Sequence, residues 1–505
     1  MVSNAISFGI HGIEAQIVEI EVDIVKGLPN FSIVGLPDST IKESKERIRS
    51  AIENSGFEFP PKNYIVNLAP AGFKKQGSNF DLPIAISILN SLGQINLNLQ
   101  DIPMVGELSL DGRVKPVTGV ISMVISLYKS GYKRIIVPYE NRIEASVIDG
   151  IDIYPVKNIK DVISVYSDER KAFRGEIEVC DNLEYSFDFK DVKGQETAKR
   201  ALEIAAAGHH NILMYGPPGS GKTMLAKCIS SILPPLTKEQ SITTTMIHSV
   251  AGILEQGRGL ILTPPRRSPH HSSSDAALIG GGRIPSVGEI SLAHNGILFL
   301  DEFVEFRNNA LQALRQPLED CEITISRASG SINFPANFML VAASNPCHCG
   351  YLFDPEIECK CLPAKIRSYF QKITGPILDR IDVEVLVGRV NYRDLMDKGI
   401  EESSEKIRER VCNAREIQNH RFKDSDKIYN SRMTNKEIKM YCRIDEETES
   451  ILEMAVQKMN LSARSFYRVL KISRTIADLD ASTNIEKKHL LEALSYKNLQ
   501  RHYNL

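Results

Sequence analysis

A glycine-rich segment has the residue types and spacing of a phosphate-binding loop, G-x-x-x-x-G-K-[ST]. It lies between the apolar run NILMY and an amphipathic stretch that favours a helix. Glycines let backbone N–H groups turn towards phosphates, and the start of the helix adds the positive end of its dipole. The lysine can reach the terminal phosphates and the threonine hydroxyl can ligate Mg²⁺. The segment therefore predicts ATP and Mg²⁺ as cofactors, bound by Gly216, Pro217, Pro218, Gly219, Ser220, Gly221, Lys222 and Thr223.

Two carboxylates, Asp301 and Glu302, end the apolar run GILFL about eighty residues later. An apolar run of this kind predicts a buried strand of a parallel sheet, and ligands bind at the carboxyl edge of such sheets. Carboxylates at a strand end are usually only solvated, but the phosphate loop gives these two a function. Asp301 is predicted to hold the water shell of Mg²⁺, and Glu302 to orient and deprotonate the attacking water. The chain is therefore predicted to hydrolyse ATP.

The next apolar run, FMLVAAS, is followed by Asn345. At the end of a third strand, its amide could hydrogen-bond the attacking water or the γ-phosphate of ATP. Alone, an asparagine before Pro346 would be interpreted as a turn-forming residue. Its position behind the phosphate loop favours the role in the active site.

Four of the nine cysteines lie within 15 positions of one another, in the pattern C-H-C followed by C-K-C. Four thiolates can bind a zinc ion in a tetrahedron, although C-x-x-C pairs are the commoner zinc ligands. The alternative is a loop with four reduced cysteines. This cysteine group, a candidate Zn²⁺ site, consists of Cys347, Cys349, Cys359 and Cys361.

The length of 505 residues predicts two to four domains, and 42% apolar with 25% charged residues is typical of a globular protein. A formal net charge of -2 does not exclude a local basic surface. No apolar run approaches the roughly 20 residues that span a bilayer. We expect no membrane contact and a cytoplasmic location, which also suits unpaired cysteines.

The pattern of apolar runs predicts a multidomain α/β protein with three parts. Residues 1–168 mix β-branched runs with helical stretches, and 169–187 form a polar, charged linker. Residues 188–388 alternate strands with helix-length segments, which is typical of a parallel sheet with crossover helices. Residues 389–505 are rich in helix-forming residues and are predicted to form a helical lid.

Three basic segments are candidates for binding DNA phosphates. PPRRSPHHSS cannot form a regular helix and predicts a loop that presents cations, and CEITISRASGSINF predicts a hairpin that turns at 328–331. Four basic residues in 464–474 also form a stripe along one helix face. Each could instead be an ordinary solvated surface. The loop and hairpin candidates for DNA binding are Arg266, Arg267, His270, His271 and Arg327.

Several longer segments, among them PSVGEISLAHNGILFLDE and GPILDRID, resemble the ComM/YifB family of magnesium-chelatase-like AAA+ proteins over essentially the whole chain. The resemblance implies an ATPase ring, expected to be a homohexamer, that acts on DNA as a branch-migration helicase in recombination and natural transformation. It also implies that Asn345 is a sensor residue, that Arg380 is an arginine finger reaching a neighbouring subunit, and that Arg464 is a second sensor arginine. Either arginine could instead form a surface ion pair.

The first 168 residues resemble the proteolytic domain of the Lon family, which uses a serine nucleophile and a lysine base. Asn79 stands at the nucleophile position and Ile121 at the lysine position, with Ser78 and Ser122 adjacent. We therefore predict an inactive Lon-like domain used for subunit contacts or DNA binding. Two other functions remain open: a metal-insertion motor of the magnesium-chelatase type, and an ATP-dependent protease or unfoldase regulator.

Overall fold

The computed structural model describes residues 2–167, 170–175, 185–281, 286–327, 330–373, 377–390, 401–423, 429–459, 461–497 and 499. Most of the predicted linker, residues 169 and 176–184, therefore lies outside the described residues. The chain forms two compact units. The first comprises Met1–Asp181, Thr237–Leu262 and Ser326–Phe334, and the second comprises Asn182–Leu236, Thr263–Ile325 and Pro335–Leu505.

The first unit is built around a four-stranded sheet of order β1-β2-β4-β3. The β1–β2 and β2–β4 pairs are antiparallel, and β3 pairs with β4 in parallel. Side chains alternate between buried and exposed along β2 and β4, as expected for a sheet with one face against a core. The strands of this sheet are β1 Ser3–His11, β2 Glu14–Val25, β3 Asn30–Val34 and β4 Asn63–Ala69. Two further pairs form two-stranded sheets: β5 Glu107–Leu108 with β6 Val114–Lys115, and β7 Arg134–Pro138 with β8 Asp152–Val156.

Three helices of the first unit, α1, α2 and α5, bury apolar faces in the same core as this sheet, and α3 and α4 contribute to a second core. In helix α1, Asp38 caps the first turn by accepting a hydrogen bond from the Ile41 N–H group at 2.9 Å. Its buried Ile41, Ile48 and Ile52 then lie on one face at helical spacing. The helices of this unit are α1 Ser39–Asn54, α2 Asp81–Ser91, α3 Val120–Lys129, α4 Arg142–Ala145, α5 Ile159–Tyr166 and, from the middle of the chain, α8 Lys238–Val250.

The second unit contains a five-stranded sheet of order β10-β13-β16-β9-β17, with every neighbouring pair parallel. Strands β9, β13 and β16 correspond to the three apolar runs of the sequence, and all their residues are buried. Strands buried on both faces need such continuous apolar runs. The strands of this sheet are β9 Ile212–Tyr215, β10 Arg266–Arg267, β13 Ile297–Leu300, β16 Met339–Ser344 and β17 Val383–Leu386.

Shorter elements connect the strands of this sheet, and four more short strands form two-stranded sheets. These strands are β11 Gly280–Gly281 with β12 Ser286–Val287, and β14 Glu322–Arg327 with β15 Gly330–Pro335. The connecting helices are α6 Glu196–Gly208, α7 Lys222–Cys228, α9 Asp275–Ile279, α10 Glu289–Leu292, α11 Asn308–Ala313, α12 Arg315–Asp320 and α13 Pro363–Ile373.

The C-terminal part of the second unit is helical, as predicted: α14 Ser404–Arg421, α15 Asn435–Tyr441, α16 Glu446–Met459, α17 Ala463–Leu479 and α18 Lys487–Ser495. Two arginines of the basic stripe on α17 are not solvated, whereas Arg464 at its start is 61% exposed. Arg474 is 2% exposed and pairs with Asp478, and Arg468 lies 3.3 Å from Asp382. Burying such cations requires partners, so the Arg474 and Arg468 side chains are held by carboxylates of the same unit.

The multidomain α/β class is thus confirmed, with a parallel sheet in the motor part and helices after it. Among the described residues, no helix combines the length and apolar character needed to cross a membrane.

Candidate active site

The carboxyl edge of the parallel sheet brings the predicted nucleotide residues together. The phosphate loop follows β9, the two carboxylates follow β13, and Asn345 follows β16. Parallel pairing of these three adjacent strands puts their carboxyl ends side by side. Within the loop, Gly219 and Gly221 have φ angles of 78° and 89°, a region that glycine adopts without strain.

Lys222 lies in the cradle formed by its own loop. Its Nζ atom donates to the carbonyl oxygens of Gly216 and Pro217, both at 2.8 Å, and lies 3.4 Å from Oδ1 of Asn345. Burial lowers the pKa of Lys222 to about 8, and the negative charge of Asp301 opposes this shift. The amine is therefore held by oxygen acceptors that a phosphate group could replace.

The residues predicted to hold Mg²⁺ are already in contact. Thr223 Oγ1 donates to Oδ2 of Asp301 at 2.8 Å, and the other carboxylate oxygen accepts from the Glu302 N–H group at 3.0 Å. Oxygen ligands from one hydroxyl and one carboxylate suit Mg²⁺, which is usually bound by few protein ligands plus phosphates. The donor set therefore fits the ion that ATP hydrolysis requires.

The backbone conformation of Glu302 is unusual for a residue with a side chain. Its φ and ψ of 51° and 44° are left-handed, which is uncommon for a residue with a side chain and costs about 1–3 kcal/mol. Its carboxylate is 55% exposed and pairs with Nδ1 of His271 at 3.0 Å. The sequence suggested a DNA contact for His271, and only the structure shows that it touches the predicted catalytic carboxylate.

Gln195 is a second residue whose place near the site was not foreseen. It precedes helix α6, and its side-chain amide donates to the Gly388 carbonyl oxygen at 2.6 Å and lies 3.3 Å from that of Ser220. It thus ties the phosphate loop to the segment after β17. Its positive φ of 62° is the geometric mark of the position, and residue type alone gives no such signal.

The lowered pKa of Lys222 gives a pH prediction for nucleotide binding. Without nucleotide, Lys222 loses its proton near pH 8, whereas bound phosphate favours the charged amine and raises its pKa. Binding above pH 8 must therefore take up a proton, and ADP affinity should fall by up to about tenfold per pH unit there. Calorimetry at pH 7 to 9.5 in buffers of different ionisation enthalpy measures both effects. Lys222→Arg, which stays charged, should show no proton uptake, and a flat wild-type profile would contradict the prediction.

Arg380 and Arg464 lie at the opposite edge of the sheet. Arg380 ends a turn just before β17 and its carbonyl oxygen accepts from the side chain of Asn211, which immediately precedes β9. Its guanidinium is 6% exposed and lies 2.5 Å from Glu319. Arg464 is 61% exposed, at 4.0 Å from Asp379. Neither arginine therefore reaches the nucleotide residues of its own chain, which follow the carboxyl ends of the strands.

A cavity of about 240 Å³ opens beside Arg380 at this amino edge. Its cations outnumber its two carboxylates, Glu319 and Asp382. In addition, the buried His209 has no hydrogen-bond partner for Nε2. The cavity is suited to a negatively charged group, and its basic lining residues are Arg380, Arg432, Arg468 and Lys471.

The four thiols of the cysteine group converge. All four Sγ atoms lie within 4.8 Å of one another, and the Cys347–Cys349, Cys347–Cys359 and Cys349–Cys359 Sγ distances are 3.4, 3.7 and 3.5 Å. Sulfur atoms about 2.3 Å from one tetrahedral zinc ion lie about 3.8 Å apart. All four cysteines are unbridged thiols. The donor set and its spacing fit a zinc ion.

The predicted cation loop is wrong at Arg266 and Arg267, which form the edge strand β10. Arg267 makes two hydrogen bonds to Glu289, at 2.6 and 2.7 Å, and Arg266 lies 5.5 Å from the centre of the Phe299 ring. Their burial against the sheet explains the difference. His270 is exposed and stacks near His271, with ring centres 4.1 Å apart.

Arg327 is the last residue of β14, which pairs with β15 in a two-stranded sheet. The predicted turn at 328–331 falls partly on residues 328 and 329, which lie outside the described residues. Residues 326–334 belong to the first unit, where Ile332 lies next to Gly12.

In the Lon-like region the predicted nucleophile and base positions are occupied by packing residues. The Asn79 amide donates to the Phe8 carbonyl oxygen at 2.6 Å, and Ile121 is fully buried. The adjacent serines have other partners: Ser78 contacts Glu107, and Ser122 donates to the Ile13 carbonyl oxygen at 2.6 Å. None of these contacts provides the lysine base of the Lon serine–lysine pair.

Three family models match successive parts of the chain. The model described as magnesium chelatase, subunit ChlI, matches residues 188–395, and the one described as subunit ChlI of Mg-chelatase matches residues 20–141. The model for the C-terminal part of subunit ChlI matches residues 401–497.

Similar proteins extend over nearly the full length. The chain is 42% identical over 497 residues to the competence protein ComM of Haemophilus influenzae, covering 97% of this chain and 96% of the relative. It is 41% identical over 496 residues to the uncharacterized protein YifB of Escherichia coli K12, with 97% and 96% covered. It is also 30% identical over 165 residues to Lon protease 2 of Bacillus subtilis, covering 29% of this chain and 30% of that protease.

Proposed function

This chain belongs to the ComM/YifB family of magnesium-chelatase-like AAA+ proteins, and from that premise we propose that it is an ATP-driven ring motor that acts on DNA. The observation that carries the proposal is the nucleotide site at the carboxyl edge of the sheet. There Lys222 lies 3.4 Å from Asn345, and Thr223 donates to Asp301 at 2.8 Å.

ATP hydrolysis follows from what each side chain can do. Lys222 exchanges its two backbone carbonyl partners for phosphate oxygens, which stabilises the charge that develops there. Thr223 and Asp301 would hold Mg²⁺, which neutralises phosphate charge when bound. Glu302, exposed and separately oriented, accepts the proton of the attacking water, and Asn345 helps to orient that water. His271 positions the Glu302 carboxylate.

A ring explains why the two arginines lie at the other edge of the sheet. In a head-to-tail ring, the amino edge of one subunit can face the nucleotide site of the next. Arg380 would then leave Glu319 for the phosphates of the neighbouring nucleotide, a contribution worth about 10³ to 10⁵ in rate for arginine fingers of other enzymes. Arg464 would respond to the same nucleotide. We propose a homohexamer for this ring.

DNA as the partner is supported by family membership and by the exposed His270. One relative is named competence protein ComM, and branch migration is the activity that we propose for this chain. Of the candidates for phosphate contact, Arg267 is neutralised by Glu289, so we keep His270 and Arg327 as the principal ones.

Two other functions fit less well. The magnesium-chelatase models favour a metal-insertion motor, but the Lon-like first unit gives that reaction no evident use. A protease would need the serine–lysine pair, and Asn79 and Ile121 stand in those positions. We propose that the first unit is an inactive Lon-like domain.

The test of the DNA proposal is ATP hydrolysis measured with four-way DNA, with unbranched duplex and without DNA. Branched DNA should give the fastest hydrolysis, and its binding should weaken linearly in log–log plots against salt, because phosphate contacts release counterions. Wild type should also move a branch point in a strand-exchange assay. Equal ATPase rates in all three samples, with no salt-sensitive binding, would contradict the DNA proposal and would not affect the ATPase proposal.

We also propose that the cysteine group binds one zinc ion through Cys347, Cys349, Cys359 and Cys361. The Sγ distances and the all-sulfur donor set support a structural site, in which the ion has no open position for a substrate. A reducing cytoplasm, the location that we propose, would keep these thiols available.

A further inference from the structure

We infer that metal binding by the cysteine group is coupled to nucleotide binding, so that zinc stabilises the ATP-competent form of the phosphate loop. The inference rests on the zinc and nucleotide sites proposed above and is independent of DNA. Three contacts between the two sites support it.

The first link is the chain itself. Cys347 lies two residues after Asn345, whose Oδ1 atom lies 3.4 Å from Lys222 Nζ. Cys347 is 1% exposed, so its thiol is fixed in the protein just beyond the end of β16. A metal ion on this thiol would therefore restrict the backbone that places the Asn345 amide.

The second link is a close approach between the cysteine segment and the phosphate loop. Gly350 follows Cys349 and has a φ of 84°, and a Cβ atom there would lie 2.6 Å from Cδ of Pro218. Only glycine fits so close to the loop in that conformation. The Gly350 N–H group donates to the Cys347 carbonyl oxygen at 3.0 Å, which closes the turn that carries both cysteines. The turn thus packs directly against Pro218 of the phosphate loop.

The third link joins the rest of the segment to the strands beside the loop. The Phe353 ring meets the Tyr215 ring edge to face, with centres 6.1 Å apart, and Tyr215 immediately precedes the phosphate loop. Asp354 has a fully buried side chain and accepts a hydrogen bond from Arg389, just after β17, at 2.6 Å. The segment that brings Cys359 to the other thiols is therefore packed against the residue before the phosphate loop and against the chain after β17.

These links make the cysteine group a cross-link across one wall of the site. A metal tying Cys359 and Cys361 to Cys347 and Cys349 reduces the conformations open to residues 346–361. Nucleotide binding needs the same arrangement of Pro218 and Asn345, so each ligand lowers the ordering cost of the other. Coupling of this kind is reciprocal: nucleotide must raise zinc affinity by the factor by which zinc raises nucleotide affinity.

The experiment measures both sides of this coupling on the full chain. Elemental analysis should find about one zinc ion per chain, as a single four-thiolate site requires. Stripping the zinc should weaken binding of fluorescent ADP–Mg²⁺ by about 5- to 150-fold, the usual range for coupled sites, and added zinc should restore it. Zinc affinity, measured by competition with a zinc-selective chelator, should rise by the same factor when ADP–Mg²⁺ is present.

Three variants separate coupling from general damage. Cys359→Ser should lose zinc and bind ADP as weakly as the stripped wild type, whereas Cys412→Ser, on helix α14, should behave as wild type. Lys222→Ala should keep zinc, with an affinity that ADP no longer changes. If Cys359→Ser fails to fold, the stripped wild type still decides the question. Absence of bound zinc, or equal ADP affinity with and without zinc, overturns the inference, and neither result bears on the DNA assays.

Discussion

Replacing Lys222 with alanine will abolish ATP hydrolysis and weaken nucleotide binding by at least about 10- to 100-fold, because hydrogen bonds to charged groups contribute about 1.5–3 kcal/mol each. Both effects follow from where the Lys222 amine lies. Lys222 Nζ is held by the Gly216 and Pro217 carbonyl oxygens inside a buried cradle, where a cation interacts strongly with phosphate. Fluorescent ADP titration and a phosphate-release assay measure the two effects.

The matched control is Lys227→Ala, which removes a lysine from the same short helix. Lys227 points away from the loop, with Nζ 4.9 Å from the centre of the Phe187 ring. This variant should bind and hydrolyse ATP as wild type does. If Lys222→Ala hydrolyses ATP at the wild-type rate, the assignment of the phosphate loop is wrong.

Glu302→Gln is expected to trap ATP in the site. The amide has the size of the carboxylate but cannot accept the proton of the attacking water, so hydrolysis should fall by about 10² to 10⁴-fold. ATP binding should remain, because Lys222, Thr223 and Asp301 are unchanged and the Glu302 N–H group, which donates to Asp301, is retained in the variant. Single-turnover hydrolysis and ATP titration on the same preparation separate the two steps.

Glu305→Gln, three residues further in the same turn, serves as the control for Glu302→Gln. It makes the same chemical change at an exposed position and should leave both steps unaffected. A Glu302→Gln variant that turns over normally would show that another group accepts the proton. Equal loss of binding and hydrolysis would instead show that the substitution disturbs the left-handed backbone at this position.

The nucleotide residues lie at the carboxyl edge of the parallel sheet, and Arg380 and Arg464 lie at its amino edge. With Arg380 paired to Glu319 at the amino edge, a single chain would lack the arginine finger proposed above for the stabilisation of transition-state charge. Activity of the isolated chain should therefore depend on assembly into the proposed ring. The cavity lined by Arg432, Arg468 and Lys471 would supply further positive charge at the same place.

Sequence alone determined the fold class and predicted the nucleotide residues, because both depend on local pattern. Continuous apolar runs can only be buried strands here, and a polar residue at the end of such a strand must stand at the sheet edge. The spacing of the glycines likewise predicted the position of the phosphate loop. These features need no knowledge of distant contacts, so Lys222, Asp301, Glu302 and Asn345 could be assigned from the chain order.

Only the tertiary structure decided which charges are available. Arg267 and Arg474 belong to basic patterns in the sequence, but Glu289 and Asp478 neutralise them, and such pairing depends on residues that meet through folding. The contact of His271 with Glu302 and the approach of Gly350 to Pro218 arise in the same way. Periodicity and motif spacing establish where a residue lies on its own element. They contain no information about which side chain from another element will face it, and that pairing sets its charge, burial and role.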